Sequence, residues 1–155
     1  MRKLLFLCLL LILLSSKSVM ASTYYPSVIF ECEKCIIIEL DTQRLHFYNL
    51  WGSFHREFPC STGAGGTTPL MNTMVYAKIP CPVSVAYNAQ MPYWLEIAQS
   101  GSYGIHALDL WENPYYLDYL GQPASHGCIR LSPENARWLY EHVEIGIPVF
   151  VLYRK

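Results

Sequence analysis

The sequence predicts a mainly β domain, a sandwich or mixed sheet, with one helix packed against it. Three observations carry that prediction. Short β-branched and aromatic runs recur along the chain, separated by turn residues. Prolines such as Pro80 and Pro82 interrupt these runs and point to edges or bends. A single stretch, 133–143, carries apolar residues at helical spacing.

The chain opens with Arg2 and Lys3, an unbroken apolar run from Leu4 to Leu14, and small residues at Val19-Met20-Ala21. This is the pattern of a secretory signal spanning 1–21, cleaved after Ala21, and the run is too short for a comfortable membrane span. A single domain, 22–155, would remain, about 134 residues and enough for one core. Arg2, Lys3 and Lys17 would leave with the signal. Eight Lys and Arg then face twelve Asp and Glu, a net charge of about −4. With no basic cluster, nucleic acid and anionic membrane are poor partners, and no stable membrane insertion is expected after cleavage. Secretion is therefore expected.

Ile36, Ile37 and Ile38 begin a strand running to Leu40. Asp41-Thr42-Gln43-Arg44 is a turn, Leu45 to Leu50 a returning strand, and Trp51-Gly52-Ser53 a second turn. Phe54 to Cys60 completes a three-stranded meander. Ser61 to Pro69, rich in Gly and Thr, is a loop whose glycines allow sharp turns or close approach of a ligand. Val75 to Tyr87 suggests interrupted strand, and Tyr93 to Ala98 and Tyr103 to Ala107 two further short strands. Ser132 can cap the helix and Pro133 fits its first position, with Ala136, Leu139, Tyr140 and Val143 on one face and Gly146 ending it. Ile147 to Tyr153 is the last strand.

Beyond the signal there are five cysteines: Cys32, Cys35, Cys60, Cys81 and Cys128. Export implies an oxidising compartment, and an odd number leaves at least one thiol unpaired. The simplest division is two disulfides among Cys32, Cys35, Cys60 and Cys81, with Cys128 reactive. Cys32-x-x-Cys35 also fits a redox pair or half a zinc knuckle, but no thioredoxin-like helix follows it and no second such pair exists.

The chemistry concentrates in Ser125-His126-Gly127-Cys128-Ile129-Arg130-Leu131, between a Pro-containing loop and the capped helix. A thiol attacks as thiolate, and a neighbouring imidazole can take its proton. His126 lies two residues before Cys128 and would share its face if the segment were extended. His106, in Tyr103-Gly104-Ile105-His106-Ala107, is the other candidate, and spacing does not choose between them. Amides near Gly127 and Cys128 can face a developing oxyanion. A zinc site on His106, His126 and Cys128 uses suitable ligand types but matches no standard spacing.

The stretch Ser125 to Leu131 resembles the signature of the L,D-transpeptidase catalytic domain family, with Ile105-His106-Ala107 matching its upstream histidine. Ile36 to Gly63 resembles the family's opening hairpin and its loop Ser61-Thr62-Gly63. Met91-Pro92-Tyr93-Trp94 resembles the strand leading to the first histidine. The resemblance implies that Cys128 is the nucleophile and His106 its general base, oriented by the backbone carbonyl of Ala107. It implies that His126 supports the site, that Gly127 offers an oxyanion N–H, and that Ser125 supports the loop. Arg130, Ser125, Tyr93 and Trp94 would contact substrate. Ala107 departs from the Gly usual after the histidine, and Thr68-Pro69-Leu70-Met71-Asn72 lacks a Gly that the family carries.

The implied substrates are peptidoglycan stem peptides, with no metal and no organic cofactor. A terminal D-Ala would be released and a 3→3 crosslink formed; water or a protein amine as acceptor would give a carboxypeptidase or an anchoring enzyme. Carbapenems would acylate Cys128, and the implied destination of the exported chain is the periplasm or cell wall. Rival readings are a cysteine peptidase, disfavoured because His106 precedes Cys128, a non-catalytic wall-binding module, and a disulfide exchange protein using Cys32 and Cys35.

Overall fold

A computed structural model describes residues 32–154 apart from 51–52 and 111–113. The signal reading over 1–21, the start of the proposed domain and most of the Trp51-Gly52-Ser53 turn lie outside the described residues. Among those described, no helix is long and apolar enough to cross a membrane.

Strands β1 (Lys34–Glu39), β2 (Arg44–Asn49) and β3 (Phe54–Pro59) form the expected antiparallel meander. The last strand, β11 (Pro148–Leu152), inserts beside β1 in parallel, and β4 (Met71–Met74) pairs with it, giving the order β3-β2-β1-β11-β4. A second sheet has the order β10-β9-β8-β5, built from β5 (Ala77–Ile79), β8 (Trp94–Glu96), β9 (Gly104–Ala107) and β10 (Ile129–Leu131). β6 (Val83–Ser84) and β7 (Ala89–Gln90) make a separate small hairpin. The prolines at 80 and 82 thus fall where the chain leaves β5 for this hairpin.

Alternation along the strands builds the core. Ile36, Ile38, Leu45, Phe47, Val149 and Val151 of the first sheet join Leu95, Ile105, Ala107, Ile129 and Leu131 of the second in one buried cluster. Helix α1 (Pro133–His142) packs on β9 and β10. Ser132 caps it by accepting from the Asn135 amide, Pro133 occupies the first turn, and Ala136, Leu139 and Val143 face inward. The helix ends at His142 with extended Val143 as its cap, so the segment to Gly146 is a turn. Trp138 ties it to the first sheet, edge-on to Phe47 at 5.6 Å with the Arg56 guanidinium 4.2 Å from its ring.

The expected disulfides are not made: Cys32, Cys35, Cys60, Cys81 and Cys128 are all free thiols. The sheet register excludes one of the possible pairings, Cys35 with Cys60. Cys35 sits opposite Tyr48 at one end of the meander, whereas Cys60 follows Pro59, opposite Arg44 at the other. That is roughly 15 Å of strand, about twice the Cα separation a disulfide spans. Cys81 is exposed beyond β5, where its thiol meets Gln90 Oε1. Burial pushes the Cys35 and Cys60 thiols up to about 12, so both behave as core residues.

Candidate active site

The site is one face of the β9–β10 pair. The two strands run parallel with Ile129 opposite Ile105, Arg130 opposite His106 and Leu131 opposite Ala107. Alternation sends Ile105, Ala107, Ile129 and Leu131 into the core and leaves His106 and Arg130 on the other face. One step back along β10, Cys128 comes beside Gly104, whose backbone hydrogen-bonds to the thiol. A cavity of about 530 Å³ is lined by Cys128, His106, Arg130, His126 and Trp94, with Tyr87 and Tyr103 among its other walls.

His106 is buried, and its Nδ1 lies 2.8 Å from the carbonyl oxygen of Ala107. A carbonyl only accepts, so Nδ1 carries the proton and Nε2 keeps a lone pair. Burial lowers the His106 pKa to about 4, helped by the nearby Arg130 charge and opposed by the Ala107 bond. Burial also raises the Cys128 thiol, against the Gly104 hydrogen bond and Arg130, which pull it down. The resting pair is therefore neutral thiol and neutral imidazole, the form in which a base accepts a proton as attack begins.

The preceding loop is bolted to the first sheet. Ser61 exchanges backbone hydrogen bonds with Arg130 (2.9 and 2.8 Å), and the amides of Ala124 and Ser125 both donate to Thr62 O. Buried Gln43, at the β1–β2 turn, donates to Thr62 Oγ1 and accepts from the Thr62 amide. Thr68 Oγ1 accepts from the Gly63 amide and donates to Gly127 O, each at 2.7 Å. Gly63 has no room for a side chain, since a Cβ would fall 2.2 Å from Thr67 Oγ1. The loop at 61–68 is thus a clamp on the cysteine loop, and the family Gly missing from 68–72 lies outside these contacts.

Within the cysteine loop the backbone bends over 126–128, and Gly127 has φ +142°, where a Cβ would also press on the Tyr103 ring at 2.9 Å. Ser125 Oγ accepts from the Gly127 amide at 3.0 Å and donates to Cys128 O. The Gly127 N–H, expected to face an oxyanion, is therefore engaged by Ser125, which holds the loop rather than substrate. His126 is exposed at the cavity rim, its ring stacked on Tyr87 at 4.1 Å. Tyr93 takes a left-handed φ of 59° and packs on Tyr140 of the helix, 5.9 Å between rings, away from the cavity lining. Its neighbour Trp94 does line the cavity, 5.8 Å from His106. A Cβ on Gly104 would strike the Trp94 ring at 2.5 Å. Tyr87, Tyr103, Gly104 and Gln43 were not singled out by pattern; only the glycine beside Ile105-His106 gave a local signal.

The Cys128 thiol, one residue before β10, and the His106 imidazole on β9 therefore line one cavity, residue types that can work as nucleophile and base. The sequence model of the L,D-transpeptidase catalytic domain (YkuD) matches residues 33–151, and the chain belongs to that family. It is 39% identical over 74 residues to the probable L,D-transpeptidase 3 of Mycobacterium tuberculosis, 47% of this chain and 25% of that protein. It also resembles the solved L,D-transpeptidase from Mycobacterium smegmatis, with a TM-score of 0.65 at 25% identity over 77% of this chain and 58% of that one. LdtMt1 in complex with imipenem shares the fold, with a TM-score of 0.69 at 21% identity and the same coverage. The chain spans only a quarter of the curated relative's length.

Proposed function

We propose that this chain is an exported cysteine L,D-transpeptidase that acts on peptidoglycan stem peptides through a thioester on Cys128. The observation that carries the reading is the His106 Nδ1–Ala107 O bond, which leaves Nε2 unprotonated in the cavity that Cys128 also lines. The Cys128 proton passes to His106 Nε2 as sulfur attacks the carbonyl that precedes a terminal D-Ala. The Cys128 amide is the oxyanion donor, since that of Gly127 is engaged by Ser125. The C–N bond then breaks, and the D-Ala amine leaves with the proton held by His106. An amine from a second stem attacks the thioester, gives up its proton to His106, and returns sulfur to the enzyme with a 3→3 crosslink formed. Arg130, on the same face as His106, supplies a positive charge for substrate carboxylates. Residues 1–21 direct export.

Intact-mass spectrometry with a carbapenem tests the reading. One covalent adduct is expected, and none in Cys128→Ala. A folded wild type that stays unmodified would point instead to a non-catalytic wall-binding domain.

A further inference from the structure

A cluster of side chains of metal-ligand type lies on the outer face of the first sheet, outside the Cys128 cavity. In register, His46 of β2 faces Glu57 of β3, and Tyr48 of β2 faces His55 of β3. All four side chains therefore project from one face of the edge pair, opposite the core. His46 Nδ1 lies 2.9 Å from His55 Nε2 and 3.7 Å from Glu57 Oε2, and one ligand atom from each residue falls within 4.8 Å of the others. Tyr48 stacks on His55 at 4.5 Å and fixes its ring.

The other nitrogen of His46 supplies the second observation. Nε2 is buried with no hydrogen-bond partner, and the nearest carboxylate oxygen is Glu39 Oε1 at 3.4 Å. Glu39 is itself buried and bonded by the Thr42 hydroxyl. A carboxylate only accepts, so the His46 proton belongs on Nε2 and the Nδ1 lone pair points at His55 and Glu57. A histidine ligand that offers its second N–H to a buried carboxylate is the usual arrangement behind a metal. A cation on Nδ1 would polarise Nε2–H and draw it onto Glu39, giving the orphaned atom its partner. Glu39 and Glu57 bring two carboxylates to this face, and Arg44, 3.5 Å from Glu57, balances only one of them.

We propose that His46 Nδ1, His55 Nε2 and a Glu57 carboxylate oxygen hold one divalent cation of the zinc class. Two imidazoles and a carboxylate are a known zinc donor set that leaves a fourth position for water. Tetrahedral zinc with bonds of about 2.0–2.1 Å needs its nitrogens roughly 3.3 Å apart, an opening of a few tenths of an ångström from the observed pair. Because β3 is an edge strand, the ion would staple it to β2.

The test is calorimetric titration of zinc chloride into the purified chain, with cobalt(II) absorption as a reporter of ligand type. Binding of one ion is expected, weakened at least about tenfold in His55→Ala and in Glu57→Gln. Both residues are exposed, so these variants should fold. Cys32→Ser and Cys128→Ala should bind as wild type does, and cobalt should show no sulfur charge-transfer band. No binding by wild type, unchanged binding in His55→Ala, or loss of binding in either cysteine variant would overturn the proposal.

Discussion

Two histidine-bearing faces of this domain share one scaffold and differ in what surrounds the imidazole. His106 on β9 and His46 on β2 each sit on the strand face turned from the core, and both are buried. His106 donates an Nδ1–H hydrogen bond to the Ala107 carbonyl, with Arg130 as its paired neighbour across the sheet. His46 lies between two carboxylates, Glu39 and Glu57, with a second imidazole at 2.9 Å. Burial and the Arg130 charge keep the first ring neutral, as the proposed base requires; the second ring, with two carboxylates beside it, is where we propose a cation. The residue type is the same, and the partner of its second nitrogen assigns the role.

The sharpest way to break this comparison is to exchange the losses. His106→Ala should slow carbapenem acylation of Cys128 by about 10²–10⁴-fold, the range of a positioned base, while leaving zinc binding intact. Normal acylation in that variant would hand the base role to His126. His55→Ala should do the reverse. Arg130→Ala should slow acylation less, by about tenfold, because it removes one charged contact and leaves the thiol–imidazole pair in place; stopped-flow acylation rates decide this.

Acidification sharpens the contrast further. Native His106 stays neutral down to about pH 4, whereas the unfolded chain takes up that proton near 6.5. Between those values the unfolded state binds more protons, so this contribution to stability is full above pH 6.5 and is lost as pH falls toward 4. The loss is on the order of 3 kcal/mol. Urea unfolding at pH 7 and pH 5 should show a steeper decline in wild type than in His106→Gln. A last effect belongs to the scaffold: Gly104→Ala places a methyl group against the Trp94 ring and should cost about 1–3 kcal/mol in the same assay. An unchanged midpoint would mean that Trp94 yields without strain.

Much of this was legible in the residues alone. Alternating β-branched runs marked the meander, Ser132 and Pro133 marked the helix start, and the Ser125–Leu131 motif pointed to Cys128. These signals are local, written in periods of two or 3.6 residues and in the chemistry of caps and turns. β7 and β10, of two and three residues, carry too little periodicity to read, and β10 was seen only as motif. The structure holds free thiols where disulfides were expected, since counting cysteines carries no distance; register, for one, sets Cys35 and Cys60 at opposite ends of a sheet.

What the sequence determined by itself was the longer strands, though not β4, β7 or β10, together with the capped helix and the reactive stretch, since each depends on neighbours a few residues away. Tertiary structure alone decided that β11 enters beside β1, that β9 and β10 pair in parallel, and so that His106 and Cys128 line one cavity. It also turned Tyr93 to the helix, brought Tyr87 over His126, and engaged the Gly127 amide with Ser125. The physical reason is that a strand's periodicity fixes which residues share a face, whereas its partner and register are set by burial summed over the whole domain.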